Sequence, residues 1–280
     1  MGRQSAAGLT AGLGVNHWSE GMQQVLISGA SSGIGAEFAR QFHARKAGVI
    51  LVARRAELLQ QLVDSFNAAR PGSARFIAAD LSSLQGLSRV EKFLRTERVD
   101  ILVNNAGRGS FGFFDGLSLQ EELQMVELNV VAYLRLAHAV IPQMKARRAG
   151  VIINIASVAA FQPLPFMATY AASKAFNFMH SLALRNELDR FGIRVLTVCP
   201  GPTDTEFGGV ARVPGKLTGV RRDRAADVVR SALRAMDCNR AWVVPGLRSK
   251  LISFMPRFLP KSLSTWLAGK ILYSTLKEVS

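Results

Sequence analysis

Tyr170 and Lys174 stand four residues apart in a stretch, Ala168 to Phe191, that reads as one long helix, so both side chains emerge on the same face. A phenol and an ammonium one turn apart form a proton-transfer pair. A free phenol titrates near about 10, too high for an efficient base at neutrality, and a neighbouring cation favours the phenolate and lowers that value. Short pairs of this kind also arise by chance. Ser157 gives this one company: it lies thirteen residues upstream, directly after the apolar run Val151-Ile152-Ile153-Asn154-Ile155. A residue just past such a run borders the crevice where open parallel sheets bind their ligands.

A second constellation follows Val25-Leu26-Ile27. Ser28-Gly29-Ala30-Ser31-Ser32-Gly33-Ile34-Gly35 runs straight into a helical pattern from Gly33 to Lys46. Glycines there permit a tight turn and let the backbone approach a pyrophosphate, which the helix N-terminus favours electrostatically. The Gly-x-x-x-Gly-x-Gly spacing differs from the commoner Gly-x-Gly-x-x-Gly, but its place between first strand and first helix makes it a dinucleotide turn. Downstream, Val52-Ala53-Arg54-Arg55 ends the second apolar run. Selection of NAD calls for an acidic residue there, whereas arginine accommodates a 2′-phosphate. The expected cofactor is NADP(H), with Arg54 as the principal contact and Arg55 beside it. Use of NAD(H) stays open.

The elements that must hold these residues read as strands at 25–27, 49–52, 75–78, 101–103, 151–155, 195–198 and 241–244. Helical patterns lie at 33–46, around Leu58 to Phe66, and at 119–147, 168–191 and 223–236. Continuous Val/Ile/Leu strands separated by helices indicate a parallel sheet covered on both faces. The fold class is therefore α/β, a doubly wound parallel sheet in a single domain spanning residues 22–245.

Composition agrees. The chain has 280 residues, 49% apolar and 20% charged, enough for an ordinary core without disulfides or metal. Cys199 and Cys238 form no CxxC pair, which suits a reducing, cytoplasmic setting, and the four histidines form no metal-ligand pattern. Lys and Arg number 35 against 20 Asp and Glu, a net charge of +15. The basic residues are scattered, so a solvated surface is favoured over a nucleic-acid groove. No segment reads as a membrane span.

Taken together, Ser28 to Gly35, Asn104-Asn105-Ala106-Gly107, Asn129, Ser157, Tyr170-x-x-x-Lys174 and Pro200-Gly201 resemble the motifs of the short-chain dehydrogenase/reductase family in order and approximate spacing. The likeness covers roughly Gln24 to Val244. Ser28 stands where the family usually has threonine, which keeps the hydroxyl. The resemblance implies a Rossmann-like fold and an oxidoreductase that reduces carbonyls or oxidises alcohols with a nicotinamide cofactor. In it Tyr170 exchanges the proton, Lys174 also holds the nicotinamide ribose, Ser157 bonds the substrate oxygen and Asn129 supports a relay water. It further implies that Asp80-Leu81 flank the adenine, that Asn105, Ala106 and Gly107 line the cofactor, and that Pro200-Gly201 face the nicotinamide. Thr205 resembles the threonine that reaches the carboxamide, with Thr203 as competitor. A homodimer or homotetramer is implied as well. An NAD-linked alcohol dehydrogenase and a non-catalytic cofactor-binding regulator are the rival readings.

Phe111, Phe113, Phe114, Phe161, Phe166 and Phe207 surround the expected mouth of the site and favour a lipophilic carbonyl or alcohol. Residues 1–21 read as a disordered leader, with Met22 a sensible initiator. The extension 246–280 carries Phe254, Phe258, Leu263, Trp266, Leu267, Ile271 and Leu272 among lysines and arginines. It either packs over the substrate site or an interface, the favoured reading, or forms an interfacial segment peripheral to an anionic membrane.

Overall fold

The computed structural model describes residues 21–211, 222–254, 256 and 258–276; nearly all of the expected leader lies outside them. Seven strands form one parallel sheet: β1 Gln24–Ser28, β2 Gly48–Ala53, β3 Ala74–Ala78, β4 Ile101–Asn104, β5 Gly150–Ile155, β6 Ile193–Val198 and β9 Trp242–Val243. Their order across the sheet is β3-β2-β1-β4-β5-β6-β9. Strand order reverses between β1 and β4. That switch point opens the crevice.

Every residue of β1 and β2 is buried, as continuous apolar runs covered on both faces require. The period-two alternation sorts them into two cores. Val25 and Ile27 pack with Phe38 and Phe42 of α1 Gly33–Ala44, Leu59 and Phe66 of α2 Ala56–Ala69, and Val229 and Leu233 of α8 Ala225–Asp237. Leu26 and Ile50 face the other way, onto Val90 and Leu94 of α3 Leu84–Thr96, Leu136 and Val140 of α5 Tyr133–Arg147, and Leu188 of α6 Ala168–Asp189.

Helix α3 has no counterpart among the helices expected from sequence, although Leu87, Val90 and Leu94 repeat at helical spacing and Ser83 caps it by accepting from Gly86 N at 3.1 Å. The expected helix 119–147 is two helices, α4 Leu119–Val126 and α5, joined by a π-helical segment Glu127–Ala132. By length and apolarity this run could cross a membrane, yet Met125, Leu136, Val140 and Met144 are buried in the protein. Helix α8 starts two residues later than expected, because Asp223–Arg224 (β8) pairs with Thr203–Asp204 (β7). A short α7 Phe207–Val210 intervenes, and the tail forms α9 Leu247–Phe254 and α10 Lys261–Leu276.

Candidate active site

At the end of β1 the chain turns with Gly29 at φ 67° and Gly33 at φ 56°, a left-handed backbone that favours glycine. Gly35 is needed for a different reason. A Cβ there would lie 2.2 Å from the Gly29 carbonyl oxygen and 2.6 Å from Asn105 Nδ2. Ser28 is fully buried and ties the turn to the end of β4: its hydroxyl donates to Val103 O at 3.3 Å and accepts from Asn105 N and Ala106 N at 2.9 and 3.0 Å. Asn105 Nδ2 donates back to Ser28 O at 2.9 Å. The Ser32 side chain makes no capping bond to α1, so it does not compete with an anion for the first-turn amides. The turn is thus packed too closely on its own neighbours to admit a Cβ, while the first amides of α1 carry no side-chain cap, an arrangement that fits a pyrophosphate.

The two arginines after β2 part company. Arg55 Nη2 donates to the hydroxyls of Ser31 and Ser32, each at 3.0 Å, and pairs with Glu206 at 2.8 Å. Arg54 instead sends its field toward Asp80. Burial would raise the Asp80 carboxyl, but the Ser82 hydroxyl and amide and the Arg54 charge together hold it below the usual range. Leu81, next in sequence, is buried in the α3-side core. Thr205 lies against the turn: its Cβ would be 3.0 Å from a Cβ on Gly33. Thr203 is committed to its own bend, donating to Gly201 O at 2.9 Å. Ser249 of α9 covers Gly201, its Oγ falling 2.1 Å from where a Cβ would stand, and Pro200 O accepts from Val158 N at 3.0 Å.

Across the crevice, α6 carries Tyr170 and Lys174 on one buried face. Lys174 Nζ donates to Ile155 O at 2.9 Å and lies 5.9 Å from the centre of the Tyr170 ring. Ser157 Oγ accepts from Ala159 N at 3.1 Å and hydrogen-bonds Tyr170. Asn129 sits in the π-helical segment. Its Oδ1 accepts from Arg108 N at 2.9 Å, and its Nδ2 donates to Arg108 O at 2.9 Å and to Ser173 Oγ at 3.0 Å. Gly107 is the point where these parts meet, since a Cβ on it would be 3.2 Å from Asn129 Oδ1 and 3.3 Å from Lys174 Nζ.

The electrostatics reverse one expectation. Burial pushes the Tyr170 phenol up to about 12, with the Ser157 hydrogen bond working against it, and pushes the Lys174 ammonium down to about 8. Lys174 does not draw the phenol down here, because both groups are desolvated and the ammonium points at a carbonyl rather than at the phenol. Near neutrality the pair therefore stands as a neutral phenol beside an ammonium, a proton donor backed by a cation. Cys199, wholly buried with its thiol raised to about 12, is inert packing.

The aromatic residues also divide. Phe111, Phe166 and Phe207 pack with Tyr170, Met167 and Leu272 of α10. Phe113 sits edge-on to Phe166 at 5.1 Å and to Tyr273 at 6.5 Å, whereas Phe114 points to solvent. Phe161 leaves the mouth altogether and joins Phe178 and Trp242, at 4.9 and 5.9 Å. Sequence reasoning missed Glu206 and Ser173. Neither belongs to a spacing pattern: Glu206 is marked by its ion pair with Arg55 and Ser173 by the bond it accepts from Asn129.

The sequence model of one protein family, short chain dehydrogenase, matches residues 23–212. The ketoacyl reductase HetN of a Nostoc species is 35% identical over 179 residues, which is 63% of this chain and 62% of that relative's length. Among solved structures, a short-chain dehydrogenase from Sphingobium yanoikuyae in complex with NADPH superposes with a TM-score of 0.78 at 33% identity, covering 85% of this chain and 98% of that one. The bulky-bulky ketone specific alcohol dehydrogenase from Comamonas testosteroni gives 0.73 at 32% identity, covering 85% and 99%.

Proposed function

The chain belongs to the short chain dehydrogenase family of oxidoreductases, and we propose that it is an NADP(H)-dependent enzyme that reduces a ketone or aldehyde, or oxidises a secondary alcohol, on a lipophilic substrate. The observation that carries this reading is the meeting of Asn129 and Lys174 at Gly107, with the Tyr170 ring 5.9 Å from Lys174 Nζ and its phenol hydrogen-bonded to Ser157.

Gly29, Ser31, Ser32, Gly33, Ile34 and Gly35 would hold the pyrophosphate, and Asp80 and Leu81 the adenine. Asn105, Ala106, Gly107, Pro200, Gly201 and Thr205 would line the remainder. The nicotinamide supplies the hydride when bound. The chain does the rest. Ser157 donates to the substrate oxygen, and Tyr170 holds its proton at Oη until the developing alkoxide takes it. Lys174 is an ammonium below about pH 8 and would hold the nicotinamide ribose. Asn129 keeps the loop at Arg108 docked on α6 and faces the space beside Lys174 where a relay water belongs.

The charge of Arg55 is answered by Glu206, whereas Arg54 makes no hydrogen bond or ion pair among the described residues, which supports Arg54 as the 2′-phosphate contact. The apolar cluster around Tyr170 supports a lipophilic substrate, as does the likeness to a bulky-bulky ketone specific alcohol dehydrogenase. Leu119 and Leu123 of α4 and Phe176 and Met179 of α6 are exposed, which fits a homodimer or homotetramer, to be read by light scattering. Thermal melts with NADPH and NADH test the cofactor. Stabilisation by NADPH in preference to NADH is expected, followed by turnover of bulky ketones; stabilisation by neither in cofactor-free protein would overturn the reading.

A further inference from the structure

Helices α9 and α10 are built inside out. A helix on a soluble protein turns its large apolar residues to the core and its small polar ones to water. Here α9 buries Ser249 and Ser253 while Leu247, Leu251 and Phe254, at helical spacing, are exposed. Helix α10 buries Ser264, Ala268 and Leu272 but exposes Leu263, Trp266 (54%) and Leu267. Between the helices, Phe258 is 73% exposed and packs on Phe254 with ring centroids 5.0 Å apart. These residues form an outward apolar stripe on both helices, more than scattered surface leucines would make.

Its charge is equally one-sided. From residue 246 to 277 the sequence holds Arg248, Lys250, Arg257, Lys261, Lys270 and Lys277 and no Asp or Glu. Lys270 Nζ lies 4.0 Å from the centre of the Trp266 ring, an indole and ammonium pairing suited to the level of lipid headgroups. We infer that the outer surface of α9 and α10 docks on an anionic lipid bilayer, with Leu251, Phe254, Phe258, Trp266 and Leu267 entering the headgroup boundary and the basic residues pairing with lipid phosphates. A second copy of the chain is the poorer occupant. It would bring one acid-free basic surface against another on a protein that already carries +15, and exposed apolar residues on α4 and α6 offer a separate face for self-association.

The inner side of α10 adds a consequence that rests on the proposed function. Leu272 packs in the cluster around Tyr170 and Tyr273 meets Phe113 and Phe166, so the docking helix also walls the substrate chamber. A lipid-soluble ketone would enter from the bilayer side.

The test needs no turnover and so stands apart from the enzyme reading. The full chain is sedimented with vesicles of phosphatidylcholine alone or with about 30% phosphatidylglycerol, in low salt and in about 0.5 M NaCl, where screening has shortened to a few ångströms. We expect pelleting on anionic vesicles in low salt, and at least about tenfold less on neutral vesicles or in high salt. Leu251→Asp/Leu267→Asp and Lys261→Gln/Lys270→Gln should each lose the interaction while keeping the wild-type melting temperature. Should either double variant misfold, the wild-type protein still reports through a blue shift of Trp fluorescence on anionic vesicles, absent in Trp266→Phe. The inference is overturned by pelleting on neither vesicle, by equal pelleting on both, or by pelleting that survives in folded Leu251→Asp/Leu267→Asp. A fall in oligomer mass in that variant, without vesicle binding by the wild type, would assign the surface to a second copy.

Discussion

At the end of β1 the crevice is walled by backbone. At Gly29, Gly33 and Gly35 a Cβ would strike Asn105, Thr205 or the Gly29 carbonyl, and Ser28 faces inward to hold the loop after β4. Across the gap, along α6, the wall is made of side chains. Tyr170 and Lys174 are buried, with no counter-charge in contact among the described residues, and Ser157 and Asn129 accept from the Ala159 and Arg108 amides. The first region works by what is missing and the second by what is present. Substitutions should therefore fail differently: any addition damages the first, and any removal damages the second.

The largest expected effect is on the side-chain wall. Tyr170→Phe keeps the ring and deletes the proton, so turnover should fall by about 10²–10⁴ or more while the NADPH-induced rise in melting temperature persists. Wild-type turnover in that variant would show that the phenol does not supply the proton. Gly35→Ala should do the reverse. Forcing a methyl against the Gly29 carbonyl costs about 1–3 kcal/mol of overpacking or more, lowers the melting temperature and abolishes stabilisation by either cofactor. Unchanged cofactor binding in Gly35→Ala would show that the turn does not need its emptiness.

Ser28→Ala leaves Asn105 N and Ala106 N without their acceptor and should cost about 1–3 kcal/mol in chemical denaturation. The pH dependence of stability sharpens the account of α6. Lys174 titrates near 8 in the fold against 10.5 unfolded, so between those values the unfolded chain binds more protons. The penalty for burying the ammonium is thus full below about pH 8 and is relieved as pH rises toward 10.5. Lys174→Met should be inactive yet more stable than wild type near pH 7, with the gap closing by about pH 10; a gap independent of pH would show that Lys174 is not buried as an ammonium. The smallest effect is Arg54→Ala, expected to move the NADPH-to-NADH preference by roughly tenfold, the worth of one charge-assisted bond. A larger shift in Arg55→Ala would move the contact to Arg55.

What the residue order revealed was local. Fully apolar strands, the glycine turn and the Tyr170–Lys174 spacing are each written within a few residues, and all appear at the predicted places. Contacts made across the sheet were not legible. Glu206 reaches Arg55 over 151 positions, and Phe161 turns to Phe178 and Trp242 although it lies between Ser157 and Tyr170. The lowered phenol expected beside Lys174 failed because spacing sets proximity but not desolvation. The tail was legible in part: Leu272 packs in the cluster around Tyr170, as the packing reading expects, but only the fold reveals that Ser249, Ser253 and Ser264 take the inner face and leave Leu251, Phe254 and Trp266 exposed.

The π-helical segment Glu127–Ala132 has a consequence for how this protein can vary. A π turn closes each hydrogen bond one residue later than an α turn, so the helical run stores an insertion within its length. Deleting one residue between 127 and 132 would let the run close as ordinary α-helix while α4 and α5 kept nearly their present phase, because the π segment takes up the extra residue. The loss would fall on the segment itself, whose Asn129 reaches Arg108 and Ser173. A deletion there should leave the core face of α5 in register, whereas the same deletion inside α5 would turn everything after it by about 100°.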